Sequence, residues 1–343
     1  MAEPGWSHRA RFLVTGGAGF IGSHFAKKIV KDYGEASVRV LDKLTYAGNL
    51  DNLKELEGEP RFSFVPGDIC DSKKVEEVMK DCDVCINFAA ETHVDRSLGD
   101  PSSFVLTDVY GTYVLLEAAR KLGIKRFVQV STDEVYGEIL GDPANEHTTL
   151  MPTNPYAASK AGGDRLAFSY FVSFRVPVVI TRCSNNYGSH QYPEKLFPLF
   201  ITNALENRRL PVYGTGRNTR DWIHVEDHCS ALQALIEAQG IEGLVFNIGA
   251  GNELSVLEIA EKILKLLGKP HDLLQHVKDR PAHDKRYALD TSRIRQLVDW
   301  KPVVQFEEGL ADTVRWYREN AWWWQKIKSS DPYKSYYGKM YGE

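Results

Sequence analysis

Tyr156 and Lys160 lie four residues apart in the stretch TNPYAASKAGGDRL. Asn154 can cap a helix there and Pro155 can occupy its first turn, so the two side chains share one helix face. A lysine ammonium beside a phenol stabilises the phenolate, and bringing a tyrosine from about 10 towards 7 takes roughly 4 kcal/mol of differential interaction. Such a tyrosine can take the proton from an alcohol while a hydride leaves the alcohol carbon. A second constellation, Ser131-Thr132-Asp133-Glu134-Val135-Tyr136-Gly137, ends the β-branched run RFVQVST. Two neighbouring carboxyl groups resist ionising together, so one can stay a protonated acid while the other acts as an ionised base. The plainer reading of this pair is a solvated acidic turn, and Y-x-x-x-K alone is a common spacing. Context has to decide both.

Short β-branched runs at 11–16, 38–42, 62–68, 84–90, 126–132 and 177–183 alternate with helical periodicity at 20–33, 72–81, 102–122 and 155–174. That alternation predicts βαβ units and an α/β fold with a doubly wound, Rossmann-like parallel sheet. The rim beyond the strand ends is where such sheets bind ligands, which places Thr132, Asp133 and Glu134 beside a cofactor. Gly16-Gly17-Ala18-Gly19-Phe20-Ile21-Gly22 follows the first run and opens the first helix. Gly16, Gly19 and Gly22 allow a tight turn and close approach, so the helix N-terminus can hold a pyrophosphate. Asp42 ends the second run, where a carboxylate can accept hydrogen bonds from an adenosine ribose. Its charge opposes a 2′-phosphate and selects NAD over NADP, although Lys43 beside it weakens that selection. Asp68, ending the third run, can meet the adenine edge or cap a helix.

After Cys183 the alternation lapses: 196–207, 255–267 and 305–319 are predicted helical, and LVFNIGA at 244–250 reads as a core strand. We therefore expect an NAD-binding Rossmann-like domain over 1–184 and a smaller, interleaved substrate lobe over 185–343, with 244–250 returning to the first core. A net charge of −4 gives no reason to invoke nucleic acid or an anionic membrane. The first strand begins within about ten residues, leaving no room for a secretory signal, and there is no apolar run of about 18 residues. Five scattered cysteines fit reduced thiols, and Cys82-x-x-Cys85 reads as part of a buried strand. These features predict a cytoplasmic protein. His93, His224 and His228 show no metal spacing, and no metal is expected. Trp322-Trp323-Trp324 reads as a packed or oligomeric surface.

GGAGFIG, DKLTYAGN, GDI, NFAAETHVDRS, STDEVYG, NPYAASKA, SNNYG, YPEK, PVYG, RDWI-VEDH and DRPAHD occur in that order along the chain. In sequence and spacing the series resembles that of the dTDP-glucose 4,6-dehydratases, within the extended short-chain dehydrogenase/reductases. Many of these motifs are shared with nucleotide-sugar epimerases and decarboxylases; the Thr-Asp-Glu run discriminates. The resemblance implies that Thr132 bonds the sugar C4 oxygen, Asp133 is the acid and Glu134 the base. It implies that Gly16, Gly19, Phe20, Ile21, Gly22, Asp42, Lys43, Leu44, Thr45, Asp68, Ile69, Ala89, Ala90, Thr92, Thr107, Tyr156, Lys160 and Asn186 surround NAD. It assigns His93, Asn185, Lys195, Leu196, Pro211, Tyr213, Arg220, Arg280 and His283 to the nucleotide sugar, dTDP-glucose. Cations at 195, 220 and 280 suit a diphosphate, and Tyr213 offers a face to a pyrimidine. The resemblance further implies a homodimer, through the helices at 102–122 and 155–174. Departures fall at Val256, where the family pattern has asparagine, and at Ser189 and Gln191, so thymine against uracil stays open. The competing readings are a UDP-sugar 4-epimerase or decarboxylase on the same fold, and a non-catalytic NAD-binding regulator.

Overall fold

The computed structural model describes residues 6–279, 281 and 283–342. Among the described residues twelve strands run in chain order: β1 Arg11–Thr15, β2 Ser37–Asp42, β3 Phe62–Pro66, β4 Val84–Asn87, β5 Arg126–Thr132, β6 Val178–Cys183, β7 Asn185–Tyr187, β8 Leu210–Tyr213, β9 Thr219–His224, β10 Val245–Ile248, β11 Glu253–Ser255 and β12 Leu274–Val277. Seven of them form one sheet in the order β10-β6-β5-β4-β1-β2-β3. Every pairing in that sheet is parallel. β5 and β6 are buried along their whole length, as strands covered on both faces must be, which explains their near-continuous apolar runs.

Two apolar layers cover the sheet. Phe25 and Ile29 of the helix Phe20–Asp32 join Leu232 and Leu235 of the helix Val225–Glu237 on one side. Val75 and Val78, Leu115 and Leu116, and Ala167 and Tyr170 form the other. Strand order reverses at β1, which has β2 on one flank and β4 on the other. Just below that switch the Thr15 hydroxyl donates to Asn87 Oδ1 at 2.7 Å, and Asn87 Nδ2 donates to Gln129 Oε1 at 3.0 Å. A one-residue slip of β1, β4 or β5 would strand these buried groups, so the ladder holds the register under the site.

The remaining strands make a three-stranded sheet, β11-β9-β7, and a parallel pair, β12-β8. They pack on a separate core that includes Phe197, Phe200, Ile259, Ile263, Leu310 and Tyr317. β10 lies in the first sheet, beside β6, although it follows β9 in the chain.

Several local features differ from the periodicity reading. The stretch expected as one α-helix over 102–122 is α-helical at Pro101–Phe104 and Thr112–Leu122, with a π-helical turn at Val105–Gly111 between them. There the Asp108 carbonyl accepts the Thr112 hydroxyl at 2.7 Å, and a Cβ on Gly163 would come within 2.6 Å of that carbonyl oxygen. Close helix contact at a glycine therefore accompanies the widened turn. The helices Val225–Glu237, Ala321–Lys328 and Asp331–Tyr341 were not foreseen. Trp323 and Trp324 are buried, donating to Asn52 Oδ1 and the Tyr317 carbonyl, while Trp322 is half exposed. The five cysteines are free, with Cys85 buried in β4. Among the described residues no helix is long and apolar enough to cross a membrane, and no cluster of side chains is arranged to hold a metal ion.

Candidate active site

A cavity of about 460 Å³ opens along the carboxyl ends of the strands at the β1 switch. Gly16 sits at φ +66°, a left-handed conformation that side chains disfavour, and a Cβ there would lie 2.6 Å from the Ala89 nitrogen. A Cβ on Gly22 would lie 2.5 Å from the Gly16 carbonyl oxygen. Gly19 caps the helix Phe20–Asp32 without a side-chain hydrogen bond, so the first N–H groups remain available to an anion. At the end of β2 the Asp42 carboxylate accepts the Ala18 and Leu44 N–H groups at 2.9 and 2.8 Å. Burial pushes its pKa up, and those two donors oppose the rise. Lys43 pairs with Asp68 at 2.6 Å, so the cation that weakened the case for NAD is held by another carboxylate. Partial burial raises the Asp68 pKa, but Lys43 and the hydrogen bonds from Cys70 together outweigh it and hold the group below its ordinary value. The cradle shape, the uncapped helix start and Asp42 together fit a dinucleotide without a 2′-phosphate.

β5 delivers Thr132, and the 3₁₀ turn Asp133–Tyr136 that follows holds the two carboxyl groups over the cavity. The Thr132 hydroxyl donates to Asp133 Oδ1 at 3.1 Å and accepts the Glu134 N–H at 3.2 Å. Asp133 is buried, and its Oδ2 has no hydrogen-bond partner among the described residues. Burial, and then the neighbouring Glu134 charge, push the Asp133 carboxyl up to about 8, so it is protonated at neutral pH. Asp133 is therefore held in the form that a proton donor requires.

The helix Pro155–Phe174 is capped by Asn154, whose side chain accepts the Ala157 N–H at 2.9 Å, and it carries Tyr156 and Lys160 into the same cavity. Lys160 Nζ donates to the Val130 carbonyl at 2.7 Å, and no hydrogen bond among the described residues joins it to Tyr156. Burial, followed by the charges of Glu134, Asp108 and Asp133, holds the Tyr156 phenol well above its ordinary value, against a hydrogen bond with Thr132. Burial and the nearby carboxylates thus outweigh Lys160 in the unliganded cavity, and a bound nicotinamide cation is the charge expected to help it. Asp108, in the π-helical turn, was not foreseen. It accepts the Ser159 hydroxyl at 2.6 Å and the Glu91 N–H at 2.9 Å, and burial drives its carboxyl up to about 7 in spite of Lys160.

Of the residues expected around NAD, Gly16, Gly19, Phe20, Ile21, Gly22, Asp42, Lys43, Thr45, Asp68, Ile69, Ala89, Ala90, Thr92, Thr107, Tyr156, Lys160 and Asn186 line the cavity. Leu44 does not; it takes a left-handed turn at φ +55°, giving its N–H to Asp42 while its side chain stays exposed. Of the nucleotide-sugar set, His93, Thr132, Asn185, Lys195, Leu196, Pro211, Tyr213, Arg220 and His283 line it as well. Arg280 lies outside the described residues. Lys195 donates to the Thr92 hydroxyl at 3.3 Å, and the Arg220 guanidinium lies 4.2 Å over the Tyr287 ring while donating to the Asp284 carbonyl. Gln191, which departs from the family pattern, lines the cavity, as does Val256. Asp95, Tyr287 and Tyr341 line it too, and reading the sequence had not singled them out.

A protein-family model described as GDP-mannose 4,6 dehydratase matches residues 13–313. The dTDP-glucose 4,6-dehydratase of Streptomyces niveus is 51% identical over 325 residues, covering 94% of this chain and 96% of that one. The Escherichia coli dTDP-glucose 4,6-dehydratase is 41% identical, covering 97% and 99% of the two chains. Among solved structures, the Streptomyces venezuelae dTDP-glucose 4,6-dehydratase DesIV, with NAD and TYD bound, superimposes with a TM-score of 0.91 at 46% identity, covering 93% of this chain and all of that one. A UDP-glucuronic acid 4-epimerase from Bacillus cereus shares the fold at a TM-score of 0.86 but only 30% identity. Likeness of this extent, with the Thr-Asp-Glu run on the cavity rim, shows that the chain belongs to the dTDP-glucose 4,6-dehydratase family.

Proposed function

We propose that the chain converts dTDP-glucose to dTDP-4-keto-6-deoxyglucose and water, retaining NAD through the cycle. The observation that carries this reading is the meeting of Asp133, Glu134 and Tyr156 in one cavity with the glycine cradle, because dehydration needs an acid and a base in addition to the tyrosine that takes the alcohol proton during oxidation. When bound, NAD supplies a hydride acceptor for C4 and returns the same hydride to C6. Tyr156 takes the C4 hydroxyl proton, with Lys160 beside it on the helix and Thr132 bonding the C4 oxygen. The resulting ketone acidifies C5, where Glu134 removes the proton and later restores it. Asp133 protonates the departing C6 hydroxyl, and the proton lost there balances the one that Tyr156 received. Lys195 and Arg220 face the diphosphate, and Asp42 excludes a 2′-phosphate.

The exposed apolar side chains Val105, Leu106, Tyr113, Phe168, Val172 and Phe174 lie on two helical segments that pack together. A second copy of the chain would cover them by an isologous contact, and we assign a homodimer to this face. Free thiols suit a reducing, cytoplasmic setting. The test of the chemistry is isotopic. Substrate carrying deuterium at C4 should give product carrying it at C6 in the same molecule, without external reductant; label retained at C4 or washed into solvent overturns the reading.

A further inference from the structure

Two elements carry the reacting side chains: Tyr156 and Lys160 stand on the helix Pro155–Phe174, Asp133 and Glu134 on the turn after β5. A buried network behind the cavity joins them. Asp164 continues the four-residue spacing of Tyr156 and Lys160, so the three share one helix face. Its carboxylate holds Arg182 of β6 at two points, accepting Nε on Oδ2 at 2.8 Å and Nη2 on Oδ1 at 3.1 Å. Arg182 Nη1 donates to the Tyr136 hydroxyl at 2.8 Å, at the end of the turn that carries Asp133 and Glu134. An arginine cannot accept, so the Tyr136 proton goes onward to Asn247 Oδ1, at 2.8 Å. Asn247 Nδ2 donates in turn to the Ala144 and Asp290 carbonyls at 2.8 and 3.1 Å. In the sheet Arg182 lies on one rung between Ser131 of β5 and Asn247 of β10, one residue before the level of Thr132. Tyr136, Asp164, Arg182 and Asn247 are all buried, and none of the four lines the cavity.

We propose that Arg182 is a positioning residue for the dehydration, holding the Asp133–Glu134 turn in place against the helix of Tyr156 by way of Tyr136 and Asp164. Stability alone does not account for such a network. Taking two charges out of water costs about as much as their attraction returns, and apolar side chains of similar volume would serve packing as well. What the charged pair adds is direction. A planar guanidinium gripped by both carboxylate oxygens has one orientation, and its remaining arm then sets where Tyr136 sits. The reaction needs that fixed spacing. The keto sugar must present its C5 proton to Glu134 and its C6 hydroxyl to Asp133 while it stays where Tyr156 met its C4 hydroxyl, so turn and helix have to keep one separation. This inference rests on the dTDP-glucose reading.

Tyr136→Phe keeps the ring and removes the link between Arg182 and the turn. When this variant, with NAD bound, is mixed with dTDP-glucose, C4 oxidation should run near the wild-type rate while elimination slows about tenfold. NADH absorbance should therefore build up on the enzyme to a level that wild type does not reach, with NAD content and dTDP affinity unchanged. Arg182→Lys keeps the charge opposite Asp164 but loses the fork, and should give the same build-up. Elimination in the double variant should be no slower than in the slower single variant, because both changes break one link. Wild-type elimination in Tyr136→Phe overturns the proposal, as do additive losses in the double variant. Oxidation and elimination falling together, with a lowered melting temperature and no NADH build-up, would mark a purely structural network and overturn it as well. If one variant does not fold, the other decides by the same absorbance; if neither folds, the network is a stability device and the proposal is overturned. A wild-type chain that binds NAD but makes no keto sugar from dTDP-glucose refutes the functional reading, and this inference falls with it.

Discussion

The cofactor end and the nucleotide end of the cavity are built by different means. Gly16, Gly19, Gly22 and Asp42 belong to one strand-turn-helix-strand unit, and what they offer a ligand is mostly backbone. The end that we assign to the nucleotide draws on β8, β9 and the segment around His283, and what these elements offer the cavity is side chains. A backbone site depends on the absence of Cβ atoms at fixed positions, so it tolerates almost no addition there. A side-chain site depends on groups brought from distant elements, each of which contributes a part. Single substitutions should therefore be all-or-none at one end and graded at the other.

The sharpest break in that comparison is Gly22→Val. Even the first added carbon would meet the Gly16 carbonyl oxygen at 2.5 Å, and backbone cannot give way as a flexible side chain can. The variant should lose NAD binding altogether, measured by cofactor content after purification, and with it all turnover. NAD bound at wild-type level would mean the turn does not cradle the pyrophosphate. Tyr156→Phe comes next in size. It keeps the ring and removes the proton acceptor, so kcat should fall by roughly 10² to 10⁴ while NAD content is preserved. Near-normal turnover would remove Tyr156 from its role.

A smaller effect concerns the acid. Asp133 acts in its protonated form, and with its carboxyl pushed up to about 8, the protonated fraction falls as pH rises through that value. The kcat profile should bend downward there. Asp133→Asn should lower kcat less than Tyr156→Phe, because water can partly replace the acid, and should erase the alkaline bend. A bend that persists unchanged in Asp133→Asn belongs to another group.

The same contrast explains what was readable from the residues alone. Glycine spacing, a strand-end aspartate, the acidic pair after β5 and the tyrosine-lysine spacing are each local, so the parallel sheet and the cavity's catalytic rim could be anticipated before any coordinates. Tyr341 could not, because only the tertiary fold brings it to Tyr213. Leu44 was placed at the cofactor by motif position, yet its left-handed backbone turns the side chain outward. Asp108 was hidden by the helical periodicity of 102–122, which carries no mark of a π-helical turn. Spacing likewise puts Lys160 and Tyr156 on one face without saying that Asp108 stands beside them.

Asp108 offers the finest test of that last difference, and the smallest expected effect. Its charge acts on both members of the pair: it helps keep Lys160 cationic, and it opposes formation of the Tyr156 phenolate. Glu134 and Asp133 oppose the phenolate as well, with Glu134 the larger influence. Asp108→Asn keeps the shape, and the amide oxygen can still accept the Glu91 N–H while its nitrogen serves the Ser159 hydroxyl, so packing should be preserved. Removing the negative charge lowers the electrostatic cost of the phenolate directly. The limb of the pH profile governed by Tyr156 should then move towards lower pH by a fraction of a unit, with kcat at neutral pH changed only a few-fold. Should the limb move the other way, or kcat collapse while NAD remains bound, the carboxylate acts chiefly by holding Lys160 charged. The lysine would then contribute more to the phenolate than its hydrogen bond to Val130 suggests.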